Sequence, residues 1–415
     1  MIWEDKGLRN RLLFVAFALL VSRLFATIPI PGIDAAKLNE FFSGSQFFSF
    51  LNIFSGGGMS RLSIVMLGVS PYITASVAMQ LLTMVSGKLK SMYQEEGATG
   101  RAKFNQISRV ITVPIAFVQA FGFLSLLASS GVISNLSHTQ LIVNMIVITA
   151  GSMLFMWLGE LMTEFGMGNG VSLLIFAGIV ANLPNTISQL SLIFSVSQIP
   201  MYVLFAAFSL LVIYGIVFIS EAERPVPVTY AKTVRGGNVS GGVSTYLPLR
   251  VSQAGVMPII FGMSILLFPQ MIFKYAAQIA TNPTIKSLAM TLNNWMSNQL
   301  IYGILYFVLV FLFTYFYTAV TFDPDQISKN LQQGGAFIPG VRPGEATSEY
   351  LGKVLTRITF LGAVFLSVVA VLPLAVRSIT GIASLAVGGT ALLIVVSVVI
   401  DLIKKVEAQV TMREY

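Results

Sequence analysis

The sequence has no cysteine, a single histidine and few charges: only 10% of its residues are Asp, Glu, Lys or Arg. Without cysteine there are no disulfides, no thiolate metal sites and no thiol redox chemistry. The lone histidine, His138, stands among Asn135, Ser137 and Thr139 and reads as a solvated loop residue. No G-x-x-x-x-G-K-[ST] loop occurs, so the chain carries no P-loop ATPase of its own, and no H-E-x-x-H or Cys/His cluster suggests a metal. The intramembrane carboxylates typical of ion- or proton-coupled transporters are missing too, since nearly every acid falls in a loop or at a helix end. Glu160 and Glu164 lie beside the turn "GMGNG". These absences disfavour an enzyme or a coupled pump and leave a passive conduit.

What is present is apolar. Of 415 residues, 55% are hydrophobic, and mean hydropathy is +0.81. A soluble chain of this length could not hide so much apolar surface. The runs are long, not the short alternating segments of a barrel. The expected class is therefore an all-α polytopic membrane protein. Windows of about 20 apolar residues predict ten transmembrane helices, near 11–30, 65–86, 107–129, 140–163, 171–190, 200–220, 253–273, 299–322, 354–376 and 381–403. The opening run is read as the first span, not as a cleavable signal, because no small-residue cleavage site closes it. Asn182 and Pro184 interrupt the fifth.

Charge predicts the orientation. With the N-terminus placed in the cytoplasm, the outer segments hold only Lys37, Arg61, Lys274, Lys286 and Arg377. Arg23 lies within the first span, where it either meets a buried partner or snorkels. The other 19 of the 25 lysines and arginines fall on the cytoplasmic side, so both termini are expected there. The net charge of +8 thus gathers on one face. Topology and contact with anionic lipid account for most of it; docking of an acidic partner such as RNA is the sharper alternative. Two cytoplasmic loops, 221–252 and 323–353, are long enough to suggest a function of their own.

An internal echo suggests two halves. Gly68-Val69-x-Pro71 precedes the second span, and Gly255-Val256-x-Pro258 precedes the seventh. These are corresponding positions if residues 1–190 and 191–415 are each a five-helix half. Five is odd, so the halves would be inverted in the membrane, with a central pore between them near the midplane.

One stretch breaks the apolar pattern. "SGGGMSRLSIVMLGVSP", residues 55–71, is too short to span and too polar for lipid. Its residues are Ser55, Gly56, Gly57, Gly58, Met59, Ser60, Arg61, Leu62, Ser63, Ile64, Val65, Met66 and Leu67, closed off by Gly68 and Pro71. Two readings fit: a re-entrant or interfacial loop, or a short movable helix lodged in a water-filled funnel as a plug.

The mid-span side chains admit two readings as well. Ile73 and Val77 are four apart on the second span, and Val171 and Ile175 repeat that spacing on the fifth. Ile260 and Ile394 are branched aliphatics on the seventh and tenth. All six fit ordinary packing or lipid contact, and equally a hydrophobic collar that gates by dewetting. The neutral polar residues Gln80, Gln119 and Asn144 fit interhelical hydrogen bonding.

Taken together, several stretches resemble the SecY family, whose members form the protein-conducting translocation channel. They are "RLLFVAFALLVSRLFATIPIPGID", "LGVSPYITASVAMQLL", "MWLGELMTEFGMGNGVSLLIFAGIVANLP", "STYLPLRVSQAGVMPIIFGMSILLFP", "GGAFIPGVRPGE" and "GGTALLIVVSVVIDLIKKVEAQ". They run in family order along nearly the whole chain. The resemblance implies ten helices in two inverted halves around an hourglass pore, with a plug at about Ser55–Leu67. It implies a pore ring at Ile73, Val77, Val171, Ile175, Ile260 and Ile394. It implies a lateral gate mainly between the second and seventh helices, with Gln80 and Gln119 as gate residues.

The resemblance further implies docking of the ribosome or the SecA motor ATPase on the cytoplasmic loops, with Arg342 in "GVRPGE" matching a family arginine that serves this coupling. SecE and, in bacteria, SecG would be partners, and no cofactor is implied. Signal sequences, unfolded polypeptides and lipid would be what the channel handles, in a bacterial plasma membrane. The loop "EAERPVPVTYAKTVRGG" departs from many bacterial relatives, which carry a denser basic cluster there; Pro225, Val226, Pro227 and Thr233 take such places. Arg224, Lys232 and Arg235 remain as docking candidates. Two rival classes stay in view: an inverted-repeat secondary transporter of a small solute, and a scaffold or insertase without a through-path.

Overall fold

The computed structural model describes residues 6–30, 62–94, 96–129, 137–193, 199–230, 233–235, 238–240, 244–253, 255–279, 282–380 and 383–414. Its helices are α1 (Lys6–Phe25), α2 (Ser70–Val85), α3 (Gly87–Gln94), α4 (Gly97–Ser129), α5 (His138–Phe165), α6 (Gly170–Ile193), α7 (Ile199–Glu221), α8 (Met257–Ile279), α9 (Pro283–Ser297), α10 (Gln299–Thr321), α11 (Pro324–Gln333), α12 (Glu345–Thr380) and α13 (Ala383–Glu414). Five strands accompany them: β1 (Glu223–Tyr230), β2 (Thr233–Arg235), β3 (Asn238–Ser240), β4 (Ser244–Arg250) and β5 (Ala336–Phe337).

Each of the ten stretches expected to span is carried on a helix. Among the described residues, five helices are long and apolar enough to cross a membrane, and two shorter apolar helices lie at Gly170–Pro184 and Met257–Leu266. Several hydroxyls inside these helices are satisfied without leaving them, although the buried Ser152 and Ser367 hydroxyls have no protein partner. Ser108, Thr112 and Thr149 each donate to the carbonyl four residues back, at 3.1, 2.8 and 2.8 Å. That removes the penalty an unpaired hydroxyl would incur away from water.

The chain divides into two compact units. The first comprises Met1–Val203, Met263–Tyr302 and Pro373–Tyr415. Within it α4 packs on α2, α3 and α5; α5 packs on α1, α2 and α6; and α13 lies against α6. Glycines set the closest approaches. A methyl on Gly170 would meet the Gly159 carbonyl oxygen at 2.0 Å, so the α5–α6 corner closes backbone to backbone.

The second unit comprises Leu204–Gly262 and Gly303–Leu372. Here the described residues of the two long loops, expected to be functional but assigned no structure from sequence, form one body. β1 pairs antiparallel with β4 from Glu223↔Arg250 to Thr229↔Ser244, and with β5 through Thr229↔Phe337 and Tyr230↔Ala336. The sheet order is β4-β1-β5, so a strand from each loop shares one sheet. Pro225 faces Pro248 across the ladder. Two residues that both lack an N–H can face one another only at a non-hydrogen-bonded position. Pro227 has the same parity, so neither proline interrupts the ladder to β4. The intervening Val226 and Val228 turn inward to a core with Leu249, Ala336, Ile338, Leu351, Val354, Leu355 and Ile358. α11 closes the body. Asp323 caps it, accepting from the Asp325 and Gln326 N–H groups at 2.9 and 3.3 Å. Ser328 donates to the Gly344 carbonyl at 2.5 Å, tying α11 to the turn before α12.

Candidate functional site

The stretch before α2 is the first part of the site. Residues 31–61 lie outside the described residues, so Ser55–Arg61 of the expected plug carry no structural statement; Leu62–Leu67 do. The sequence left a loop and a short helix open for this segment; Leu62–Val69 is not helical but forms turns around a bridge at Ser63. The reason is that its backbone is committed to another segment. Ile30 N–H donates to the Leu62 carbonyl at 2.9 Å, and Ile64 N–H to the Ile28 carbonyl at 3.0 Å. Pro29 and Ser63 form the bridge between them. Leu62 sits at φ 42°, a left-handed conformation that costs a side-chain-bearing residue about 1–2 kcal/mol. The two flanking backbone bonds hold it there. Val65 and Met66 are completely buried. Pro71, at the first turn of α2, fixes where the helix begins.

The six candidate collar residues come next. Ile73 and Val77 fall on α2, Val171 and Ile175 on α6, Ile260 on α8 and Ile394 on α13. Ile73, Val77, Ile175, Ile260 and Ile394 are between 1 and 5% exposed; Val171 is half-buried. Within the first unit, α6 and α13 pack together, bringing the elements of Val171, Ile175 and Ile394 side by side, while Ile73 and Val77 share one face of α2. Ile260 belongs to the second unit, where its neighbours are held firmly. Phe261 meets Phe313 and Tyr317 edge-on, and Gly262 lets Val310 approach to 3.1 Å from where a methyl would stand.

Of the gate candidates, Gln119 on α4 donates from Nε2 to Thr74 Oγ1 on α2 at 3.4 Å. Thr74 was not singled out from sequence. Gln80 is buried on α2 and its amide reaches only Ser76 of its own helix, at 3.5 Å, leaving Oε1 without a protein partner. The structure therefore links Gln119 to α2 but does not bring Gln80 to it. A further link, also unforeseen, joins α4 to α5: Arg109 Nε lies 2.5 Å from Glu160 Oε1.

Of the docking candidates, Arg224 lies exposed on β1 and Arg342 is exposed between β5 and α12. The Arg342 carbonyl accepts a hydrogen bond from Thr347 Oγ1 at 2.8 Å, which fixes the backbone and leaves the guanidinium to solvent. Arg235 is on β2, and Lys232 lies outside the described residues. Arg224 and Arg342 ride on the same sheet-centred body, which neither loop forms alone.

Comparison with known proteins decides the family. The SecY family profile matches residues 63–403. The protein translocase subunit SecY of Thermotoga maritima is 41% identical over 98% of this chain and 94% of its own length. That of Haemophilus influenzae is 40% identical over 99% and 94%. The chain belongs to the SecY family.

Solved structures agree on the SecY fold. One reported as a protein conducting channel superposes with a TM-score of 0.67 at 18% identity, covering 97% of this chain and 92% of that one. Sec61 in a canine ribosome-channel complex from the endoplasmic reticulum gives 0.63 at 17% identity, with the same coverage. The SecY profile begins at Ser63, inside the stretch whose backbone pairs with residues 28–30. The sequence signal for the shared loop body was the alternation of Val226 with Val228 and of Leu247 with Leu249, on strands punctuated by proline.

Proposed function

We propose that this chain is the channel-forming subunit of a bacterial protein translocase. It passes unfolded polypeptides across the plasma membrane and releases hydrophobic segments sideways into the bilayer. The near full-length similarity to translocase subunits carries this reading. The burial of five branched aliphatics on α2, α6, α8 and α13 supports it, because an apolar collar seals without a charged filter and grips a passing chain without regard to sequence.

In this reading Ile73, Val77, Val171, Ile175, Ile260 and Ile394 form the ring, and residues 55–67 plug it. The halves 1–190 and 191–415 part at a lateral gate in which Gln80 and Gln119 take part. A signal sequence enters because its side chains prefer lipid. Each apolar residue gains a few tenths of a kcal/mol by insertion, and each central charge costs roughly 2.5–3.5 kcal/mol. Both termini face the cytoplasm. Arg224, Lys232, Arg235 and Arg342 dock the ribosome or the SecA motor, and SecE and SecG complete the assembly.

Reconstitution tests the reading. Vesicles holding the full chain and its partners should take up a signal-bearing protein and not small solutes, and deleting residues 56–66 should open an ion leak. Solute uptake without export would favour a secondary transporter. A deletion that leaks no ions would favour a scaffold without a through-path.

A further inference from the structure

Gly151 on α5 presents a bare Cα to the backbone of Ile64. A methyl there would stand 2.1 Å from the Ile64 carbonyl oxygen, 2.8 Å from its carbon and 3.3 Å from the Val65 Cα. All three atoms are main chain, so no rotamer change relieves the clash and either the helix or the segment must move. On the other side, the same segment is bonded at Leu62 and Ile64 to residues 28–30. Residues 62–67 are thus held between a two-bond ladder and one glycine.

We propose that Gly151 is the seat of this segment: a positioning residue that sets how firmly the closing element of the channel is held shut. The consequence for gating rests on the plug reading above; the seat itself does not. A methyl at position 151 would push the Ile64–Val65 backbone off α5 and raise the population of the unseated form. It would leave the collar side chains and the docking body unaltered.

The chain has no cysteine, so a single introduced thiol reports cleanly. Met66, fully buried in the seated form, is the reporter position. Met66→Cys is made in the full-length chain, alone and with Gly151→Ala, and labelled in native membranes by an impermeant maleimide supplied from both sides. Ile64→Pro provides a second route: it removes the N–H that bonds Ile28 and leaves α5 untouched, so it carries the test should Gly151→Ala fail to accumulate.

Labelling should rise at least about tenfold in either variant, equivalent to about 1.4 kcal/mol and in the range that overpacking produces. Ion conductance and export of proteins with defective signal sequences should rise with it. Labelling equal to the Met66→Cys parent in an accumulated variant overturns the seat, whatever export does. Raised labelling with unchanged conductance and signal selectivity upholds the seat and overturns the plug reading of the segment.

Discussion

Arg109 on α4 and Glu160 on α5 meet at 2.5 Å, with the arginine side chain 47% and the glutamate 19% exposed. The pair joins two packed helices of the first unit. In open solvent such a pair contributes about 0.2–1 kcal/mol. The low exposure of Glu160 argues for the upper end. Arg109→Gln and Glu160→Gln should each lower stability in detergent by about 1 kcal/mol, and the double variant should lose little beyond the worse single one. A double-mutant cycle on thermal unfolding measures this; additive losses would show that the two charges act independently.

The collar reading makes a prediction of opposite sign for stability and throughput. Ile394 and Ile260 are 1% and 2% exposed. Asparagine at either position buries an amide, costing about 1–3 kcal/mol where it finds no partner, and it also gives water a foothold. Ile394→Asn and Ile260→Asn should therefore accumulate less well yet export proteins with defective signals better. Ile394→Val, which keeps the apolar wall, should leave selectivity as it was. Export assays normalised to the folded channel check both halves of the statement.

The helices were legible because the membrane forces a simple code: about 20 apolar residues satisfy their own backbone. Helical spacing put Ile73 and Val77 on one face but left packing and a collar equally open; only the family resemblance singled them out. The loop body was not legible for the opposite reason. Its β1–β5 pairing joins Tyr230 to Ala336, over 100 residues apart in the chain, and no local pattern specifies a partner at that range. Proline at 225, 227 and 248 further hid strands that tolerate it only because of ladder parity. α11 did carry a local signal, Asp323 before Pro324, that marks a helix start. The Gly151–Ile64 approach was invisible, because a close contact at glycine depends on which backbone crosses it.

Arg342 offers a test of docking that folding does not confound. Its side chain is exposed, and only its carbonyl takes part in the turn before α12. Arg342→Glu should change stability by no more than about 0.5 kcal/mol, as surface substitutions do. It should reduce motor-stimulated export strongly by reversing the charge offered to the partner. Lys at the same position should retain part of the activity. ATPase stimulation and export at normal rates in Arg342→Glu would remove this residue from the docking surface.

The shared core beneath that surface gives the last prediction. Leu249 is fully buried and belongs to the same apolar cluster as Val228 of its own loop, Ile338 of the second loop and Leu355 of α12. Leu249→Ala deletes three heavy atoms where no water enters, at a cost of about 2–5 kcal/mol. Because one cluster serves both loops, the damage should not stay local to β4. Protease sites in 221–252 and in 323–353 should become accessible together, while the membrane helices remain protected. Pro225→Ala, at an exposed, non-hydrogen-bonded position facing Pro248, should leave both loops resistant. If Leu249→Ala exposed only the first loop, the two would be independent modules and the sheet joining them would not be a unit of stability. If both open at once, a partner that grips either loop is bound to a body built from the two.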